Sequence, residues 1–263
     1  MALWSGDGAW VRMQATLDAT YAEVEDFLVD QVAAEDAATV VDVGCGTGAT
    51  TLAIARRLGR GSRCTGVDVS EQMVDLARRR AGDEDTTVEF VVADAQRHRF
   101  APGAADVIAS RFGVMFFDDP VAAFANLRAA ARSGGALRAV VWRGAEHNPF
   151  MTAAEEAAAG IITLPPRPPG QFAFADRDRV REILTAAGWS DVVVAPVDFA
   201  CAFPAAQLDA YLRSMGPVGR ALVEHDEATT ARVVAHVRPA FDRFRHADDV
   251  RFTAACWLVA AVA

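Results

Sequence analysis

Leu17, Tyr21, Val24, Phe27, Leu28 and Val32 recur at three- and four-residue steps, the stripe of an amphipathic helix, within a polar segment of residues 1–34. The period then changes. Thr39–Val43 is a short β-branched run that stops at Gly44 and gives way to a helical pattern over Ala49–Leu58. Cys64–Val67 is the second strand, ending at Asp68, and Ser70 is placed to cap a helix over Glu71–Arg80. Val88–Ala93 and Asp106–Ser110 are the third and fourth strands. A helix over Pro120–Arg132 starts with proline in its first turn, and Ser133-Gly-Gly135 breaks it ahead of a fifth strand, Leu137–Trp142.

The second half repeats the theme more loosely. Residues 148–160 read as a helix, and the proline-rich stretch 164–170 as an extended loop. Asp176–Ala187 is a helix ended by Gly188, Asp191–Val197 a sixth strand, 204–246 a helical insert, and Phe252–Val262 the last strand. Strands that alternate with helices over short loops build βαβ units, with helices on both faces of a parallel sheet. The expected fold is therefore α/β: a doubly wound, seven-stranded, mostly parallel Rossmann-like sheet. A helical N-terminal segment precedes it and a helical insert precedes the last strand. No linker separates a second domain, so residues 1–263 read as one domain.

Composition narrows the chemistry. All 26 cationic side chains are arginine. Without lysine there is no Schiff base, which excludes pyridoxal phosphate enzymes and lysine aldolases, and no P-loop or kinase lysine. GC-rich coding accounts for the bias, and the exclusions hold regardless. The formal net charge of −9 argues against a nucleic-acid partner. The four cysteines are scattered without metal or disulfide spacing, so no metal is expected and a reducing, cytoplasmic location is the default. The N-terminus shows no leader pattern, and the apolar tail is too short to span a bilayer, so no membrane association is expected. The helices of 204–246 offer a face for a second copy; monomer and homodimer both stand.

The most informative stretch is Val41-Asp-Val-Gly-Cys-Gly-Thr-Gly-Ala-Thr50. Gly44, Gly46 and Gly48, with Cys45 between the first two, sit where a strand turns into a helix and allow a ligand to approach the backbone closely. The spacing is GxGxG, whereas the dinucleotide fingerprint is GxGxxG. Asp42 precedes the loop by two residues and would welcome an ammonium group rather than a pyrophosphate. Asp68, at the end of the second strand, suits the vicinal hydroxyls of a ribose. Asp94-Ala95, ending the third, can present a carboxylate and an N–H to an adenine edge. Ammonium, ribose and adenine together describe S-adenosylmethionine.

The order VVDVGCGTGATT, GVDVSEQMVDLARRR, VVADAQ and SRFGVMFFDDPVAAFANLRAAARSGGAL resembles the class I S-adenosylmethionine-dependent methyltransferases. The resemblance is to the branch holding ubiquinone- and menaquinone-biosynthesis enzymes and many bacterial small-molecule enzymes. It is dense over about residues 38–145 and loose beyond. Ser133-Gly-Gly stands where the family often has Pro-Gly-Gly. The resemblance implies that the three glycines approach the methionine part of the cofactor, with Asp42 beneath its ammonium. It implies that Asp68 takes the ribose, that Val69 and Met73 flank the adenine, and that Asp94 and Ala95 meet its edge. Ser110 and Arg111 would lie beside the methionine and face the acceptor. It also implies a division into an N-terminal lid (1–37) carrying Trp10, a cofactor core (38–145), and an acceptor-side half (146–263) capped by 204–246. S-adenosylhomocysteine would be the product.

Methyl transfer needs alignment of donor and acceptor, and a base only where the acceptor has a proton to lose. His147, just after the fifth strand, is the candidate base, with Arg111 the other candidate for a catalytic role; Glu146 shares the His147 loop. His98 reads as a polar loop residue, and His225, His236 and His246 as surface residues. The run Arg111-Phe-Gly-Val-Met-Phe-Phe117 is aromatic where a loop should be polar. It is either core packing or an acceptor wall of Phe112, Met115 and Phe116, with Trp142. Trp4 and Trp10 either close over the cofactor or staple the first helix to the sheet. Arg111, Arg143 and Arg167 are placed to hold an anionic acceptor group. The expected activity is methylation of a small, apolar or aromatic acceptor, at O or C rather than N, in specialised metabolism or quinone-like biosynthesis. Two rivals remain: the same fold and cofactor used for a non-methylating cyclisation or elimination, and a nicotinamide-dependent enzyme, against which the glycine spacing argues.

Overall fold

Three helices come first in the computed structural model: α1 (Asp7–Arg12), α2 (Gln14–Thr20) and α3 (Ala22–Ala33). β1 (Thr39–Val43) leads into α4 (Ala49–Leu58), β2 (Arg63–Asp68) into α5 (Glu71–Ala81), and β3 (Val88–Val92) is followed by β4 (Ala105–Arg111). Next come α6 (Pro120–Ala130), β5 (Ala131–Trp142), α7 (Pro149–Ala158), α8 (Arg177–Ala186) and β6 (Ser190–Pro204). The chain ends with α9 (Leu208–Ser214), α10 (Gly216–Leu222), α11 (Glu227–Val237), β7 (Arg245–His246) and β8 (Asp249–Val262). The structure describes residues 7–82, 87–165 and 170–263. Trp4, Arg167 and positions 166–169 of the proline-rich loop lie outside the described residues.

The strands form one sheet in the order β3-β2-β1-β4-β5-β8-β6, with β7 pairing β8 off that path. β1 pairs in parallel with β2 and β4, β2 with β3, and β4 with β5; β8 runs antiparallel to β5. Helices cover both sides of the sheet, as expected. The order reverses direction between β1 and β4. The carboxyl edge at such a reversal is where α/β sheets bind ligands.

The chain divides into two compact units. One is built from the described parts of Glu23–Arg143, Pro169–Val197 and Ala255–Ala263, and carries the sheet core. Its interior is drawn from the faces the periodicity assigns: Val24, Leu28 and Val32 of α3, Leu52 and Ile54 of α4, and Phe124 and Leu127 of α6, none more than 1% exposed. Three of its helices start on side chains that accept orphan N–H groups: Ser70 from Met73, Asp119 from Ala122, and Asp176 from Asp178 and Arg179. Two indoles tie loops to this core. Trp189 Nε1 donates to the Phe124 carbonyl and Trp257 Nε1 to the Ala175 carbonyl, each at 2.9 Å.

The other unit is built from the described parts of Met1–Ala22, Gly144–Pro168 and Asp198–Ala254. Its core is aromatic. Phe150 stacks on Phe252 with centroids 3.9 Å apart, meets Phe241 and Phe244 edge-on, and sits beside Phe203 and Tyr211. Offset and edge-on aromatic pairs add to the burial these rings already provide.

Three expectations change. The stretch read as a 204–246 helical insert is three helices, two 3-10 segments over Ala205–Gln207 and Arg238–Phe244, and the two-residue strand β7, which makes eight strands among the described residues. β6 and β8 are longer than expected because their outer halves leave the sheet core and enter the second unit. The Ser133-Gly-Gly135 break lies inside β5. There the pairing with β4 jumps from Ala105↔Ala131 to Val107↔Ala136, so the glycines form a bulge rather than a helix end.

Candidate functional site

β1 is buried from its second residue onward and stops where Gly44, Gly46 and Gly48 adopt φ of 71°, 54° and 87°. Side chains rarely adopt that left-handed conformation, so the glycines are what allow the turn. The loop is pinned to β2: Gly44 N and Cys45 N both donate to the Val67 carbonyl, at 2.8 and 3.2 Å. A Cβ added at Gly44 would lie 2.5 Å from the Cα of Gly113 in the loop after β4. The two loops thus meet backbone to backbone at the point where the strand order reverses. Gly113 was not singled out from the sequence, because nothing local marks a contact across 69 positions.

Asp68 organises the neighbouring turn. Its Oδ2 accepts from Gly46 N and its Oδ1 from Ser70 N, each at 2.9 Å. The carboxylate therefore joins the glycine loop to the start of α5. Beside it Val69 is 44% exposed, an apolar face on an otherwise polar turn. Met73 is buried behind that face. A Cβ at Gly46 would meet only the Met73 sulfur, at 3.9 Å, so the space over the loop is open.

Asp94 and Ala95 follow β3. The Asp94 carboxylate accepts from Gln96 N at 2.9 Å and from Arg97 at 3.0 Å, and stays partly exposed. The Ala95 carbonyl accepts from Asn126 at 2.9 Å, which fixes this loop against α6. Gln96 Oε1 in turn accepts from Asp118 N at 2.8 Å.

Asp42 is 1% exposed, with Thr51 Oγ1 donating to it at 2.6 Å. Burial, opposed by Thr51 and Arg111 and reinforced by Asp68 and Glu25, pushes its pKa up to about 6. The carboxylate is therefore enclosed beneath the loop rather than presented on its surface. Since the folded-state value lies above the unfolded one, the folded chain holds this proton more tightly. Asp42 therefore favours folding below about pH 4, and that contribution is lost as pH rises through about 6. The difference corresponds to about 3 kcal/mol. Asp42→Asn should flatten the fall in melting temperature across that window; an unchanged slope would show that Asp42 titrates as an ordinary carboxylate.

Several expected contacts are corrected by burial. Ser110 is wholly buried. Its hydroxyl donates to the Val43 carbonyl at 2.7 Å and accepts from Gly113 N and Val114 N, so it knots the two loops rather than facing a ligand. Cys45 packs with Leu52, Val74, Ala77 and Phe90, and burial followed by the charges of Asp42 and Asp68 raises its pKa well above that of a free thiol. It remains a neutral apolar group, and the loop offers its backbone alone. Met115 is 2% exposed with its sulfur accepting from Trp142 N at 3.4 Å, so it belongs to the core and not to an acceptor wall. Trp142 is 4% exposed, stacked on Phe112 with centroids 4.4 Å apart. Arg111 Nε donates to Thr50 Oγ1 at 2.8 Å and its guanidinium lies 3.9 Å from Glu25, so it faces inward.

Phe112 and Phe116 remain half-buried and able to line a ligand. Phe112 also has φ of 64°, a strained backbone for a bulky residue and one that concentrates at functional sites. Arg143 lies over the Trp257 ring, 5.2 Å from its centroid. In the other unit, Trp10 is exposed on α1, and His147 ends a 3-10 turn with Nε2 3.5 Å from Glu146 Oε1. Asn148, not anticipated, is buried there and donates to the Gly144 carbonyl at 3.2 Å.

The donor set suits a cationic nucleoside. An apolar face for a base, a carboxylate at a strand end suited to a ribose, and an open glycine cradle over a buried acid occur along one sheet edge. Residues 40–135 match the family model described as "Methyltransferase domain". The chain is 27% identical over 177 residues to a demethylmenaquinone methyltransferase of Renibacterium salmoninarum, covering 63% of this chain and 72% of that one. It is 30% identical over 131 residues to the nocamycin O-methyltransferase of Saccharothrix syringae, covering 48% and 47%. It thus spans about half the length of the second relative. The fold is shared with the YcgJ protein of Bacillus subtilis at a TM-score of 0.59, with 14% identity, covering 90% of this chain and 97% of that one.

Proposed function

We infer that the chain is a class I S-adenosylmethionine-dependent methyltransferase and that it methylates a small, apolar or aromatic acceptor, at oxygen or carbon. The cofactor, when bound, supplies a sulfonium methyl group and leaves as S-adenosylhomocysteine. The observation that carries the reading is Asp68, whose carboxylate joins the glycine loop to the β2–α5 turn beside an exposed Val69. Asp68 would hold the ribose hydroxyls, Val69 the adenine face, and Asp94 with Ala95 N–H its edge. The glycine loop would admit the methionine portion over the field of Asp42. Phe112 and Phe116 would exclude water and orient a flat or apolar acceptor.

Two relatives support a small-molecule acceptor by their names alone, one naming an O-methyltransferase. His147 is kept as candidate base on its exposure and its neighbour Glu146. The division into lid, core and acceptor-side half belongs to the same proposal. So does a reducing compartment, which the four buried cysteines, none in a disulfide, support. Among the described residues no helix is long and apolar enough to cross a membrane.

The test is to incubate the purified protein with S-adenosylmethionine and a panel of hydroquinones, phenols and hydroxylated polyketides. S-adenosylhomocysteine should form in step with a product heavier by one methyl group. A rearranged product without S-adenosylhomocysteine would instead support the cyclisation reading. Failure of the protein to bind S-adenosylmethionine at all would sink both.

A further inference from the structure

The glycine loop is gripped from two sides by arginines. Arg80 of α5 donates from one guanidinium nitrogen to the Thr47 carbonyl at 2.7 Å and to the Thr47 hydroxyl at 3.3 Å. Arg111, at the end of β4, donates to Thr50 Oγ1 at 2.8 Å, with Glu25 of α3 behind it. Thr47 and Thr50 bracket Gly48, the residue at which α4 begins without any side-chain cap.

The geometry explains what such a grip does. A trans peptide points its carbonyl and its N–H in opposite directions. With the Thr47 carbonyl turned toward Arg80, the N–H of the same peptide unit, on Gly48, turns back and donates to the Cys45 carbonyl at 2.9 Å. Arg80 therefore fixes the peptide plane that closes the turn. Three left-handed glycines would otherwise leave this loop the most conformationally free segment of the edge. A ligand would then have to order it on binding, at a cost in affinity. Arg111 does the equivalent for the first turn of α4, and its pairing with Glu25 links that turn to α3.

We propose that Arg80 and Arg111 are positioning residues that hold the glycine loop in its ligand-ready shape, with Glu25 as the counter-ion behind Arg111. The proposal rests on the function inferred above. Neither guanidinium is assigned a contact with ligand; each acts through a threonine.

Calorimetry with S-adenosylmethionine and hydrogen exchange on the ligand-free protein test this together. Arg80→Ala should weaken binding about tenfold, the scale of a lost charge-assisted hydrogen bond. It should also speed exchange at the amides of Gly46 and Gly48. Arg80→Lys, which keeps one nitrogen donor, should recover part of both. Arg79→Ala removes the same charge from an exposed neighbour and should bind within about twofold of the unaltered chain. For Arg111, the losses from Arg111→Gln and Thr50→Val should be non-additive in the double variant. If Arg80→Ala matches Arg79→Ala in affinity, or loop exchange does not change, the proposal for Arg80 is overturned. Additive losses overturn it for Arg111. If the unaltered chain binds no S-adenosylmethionine, the functional reading fails instead, and the exchange measurement alone decides the loop-positioning role.

Discussion

Asp68→Ala should leave a folded chain with no measurable affinity for S-adenosylmethionine. The carboxylate is 8% exposed and accepts from two backbone N–H groups, Gly46 and Ser70, that belong to different loops. Hydrogen bonds to a charged group are worth about 1.5–3 kcal/mol each, and removing the acceptor leaves both donors without it. The glycine loop then loses its tie to the β2–α5 turn, and the ribose loses its partner. These losses compound, because the loop must be in place for the ribose to be met. Asp68→Asn separates them: its amide keeps one acceptor oxygen, so the turn is partly preserved while the charge is gone. Calorimetry should show binding lost in Asp68→Ala and weakened in Asp68→Asn, with circular dichroism near that of the unaltered chain. Binding retained by Asp68→Ala would remove the ribose assignment.

Gly44→Ala should be among the most destabilising single-methyl additions in the sheet core. Two costs coincide there. The residue has φ of 71°, which costs a side chain about 1 kcal/mol, and its Cβ would stand 2.5 Å from the Gly113 backbone. Overpacking of that kind costs about 1–3 kcal/mol more. The sum of about 2–4 kcal/mol lowers the melting temperature by about 5–15 °C for a chain of this size. Gly59→Ala is the matched comparison: its φ is 77°, but nothing lies within 4 Å of the added carbon. It should show the conformational cost alone. Equal melting temperatures for the two variants would mean that the contact between the loops after β1 and β4 is not a tight one.

How much was legible beforehand follows from how local each feature is. β1 and α4 were bounded correctly because a β-branched run, a glycine loop and a helical period follow one another in a single stretch. Ser70 was readable as a cap for the same reason. β7 was not, since two residues carry no period of their own and pair only because β8 lies alongside. The bulge at 133–135 looked like an ending, because glycines interrupt a strand and a helix in the same way on paper. In the site, acids at strand ends were visible from spacing. Their partners were not. Arg80 meets Thr47 across 33 positions, and Gly113 meets Gly44 only through the sheet's change of direction. The resemblance puts Ser110 beside the cofactor, and the sequence leaves Met115 between core and acceptor wall. Which way a side chain turns after a strand is decided by which backbone groups need a partner, and Val43, Gly113 and Val114 claim the Ser110 hydroxyl.

The stack of Phe112 on Trp142 has an optical consequence. Trp142 is shielded from water, lies 6° from parallel to the Phe112 ring, and is joined through its backbone N–H to the sulfur of Met115 in the post-β4 loop. Phe112 is held in a backbone conformation it would not choose alone, so small movements of that loop must shift the ring over the indole. Indole emission responds to such changes in its surroundings, and the ring pair sits beside the segment proposed above to meet the acceptor. If that proposal holds, acceptor binding should change the Trp142 emission, and comparison with Trp142→Phe separates that signal from the four other tryptophans.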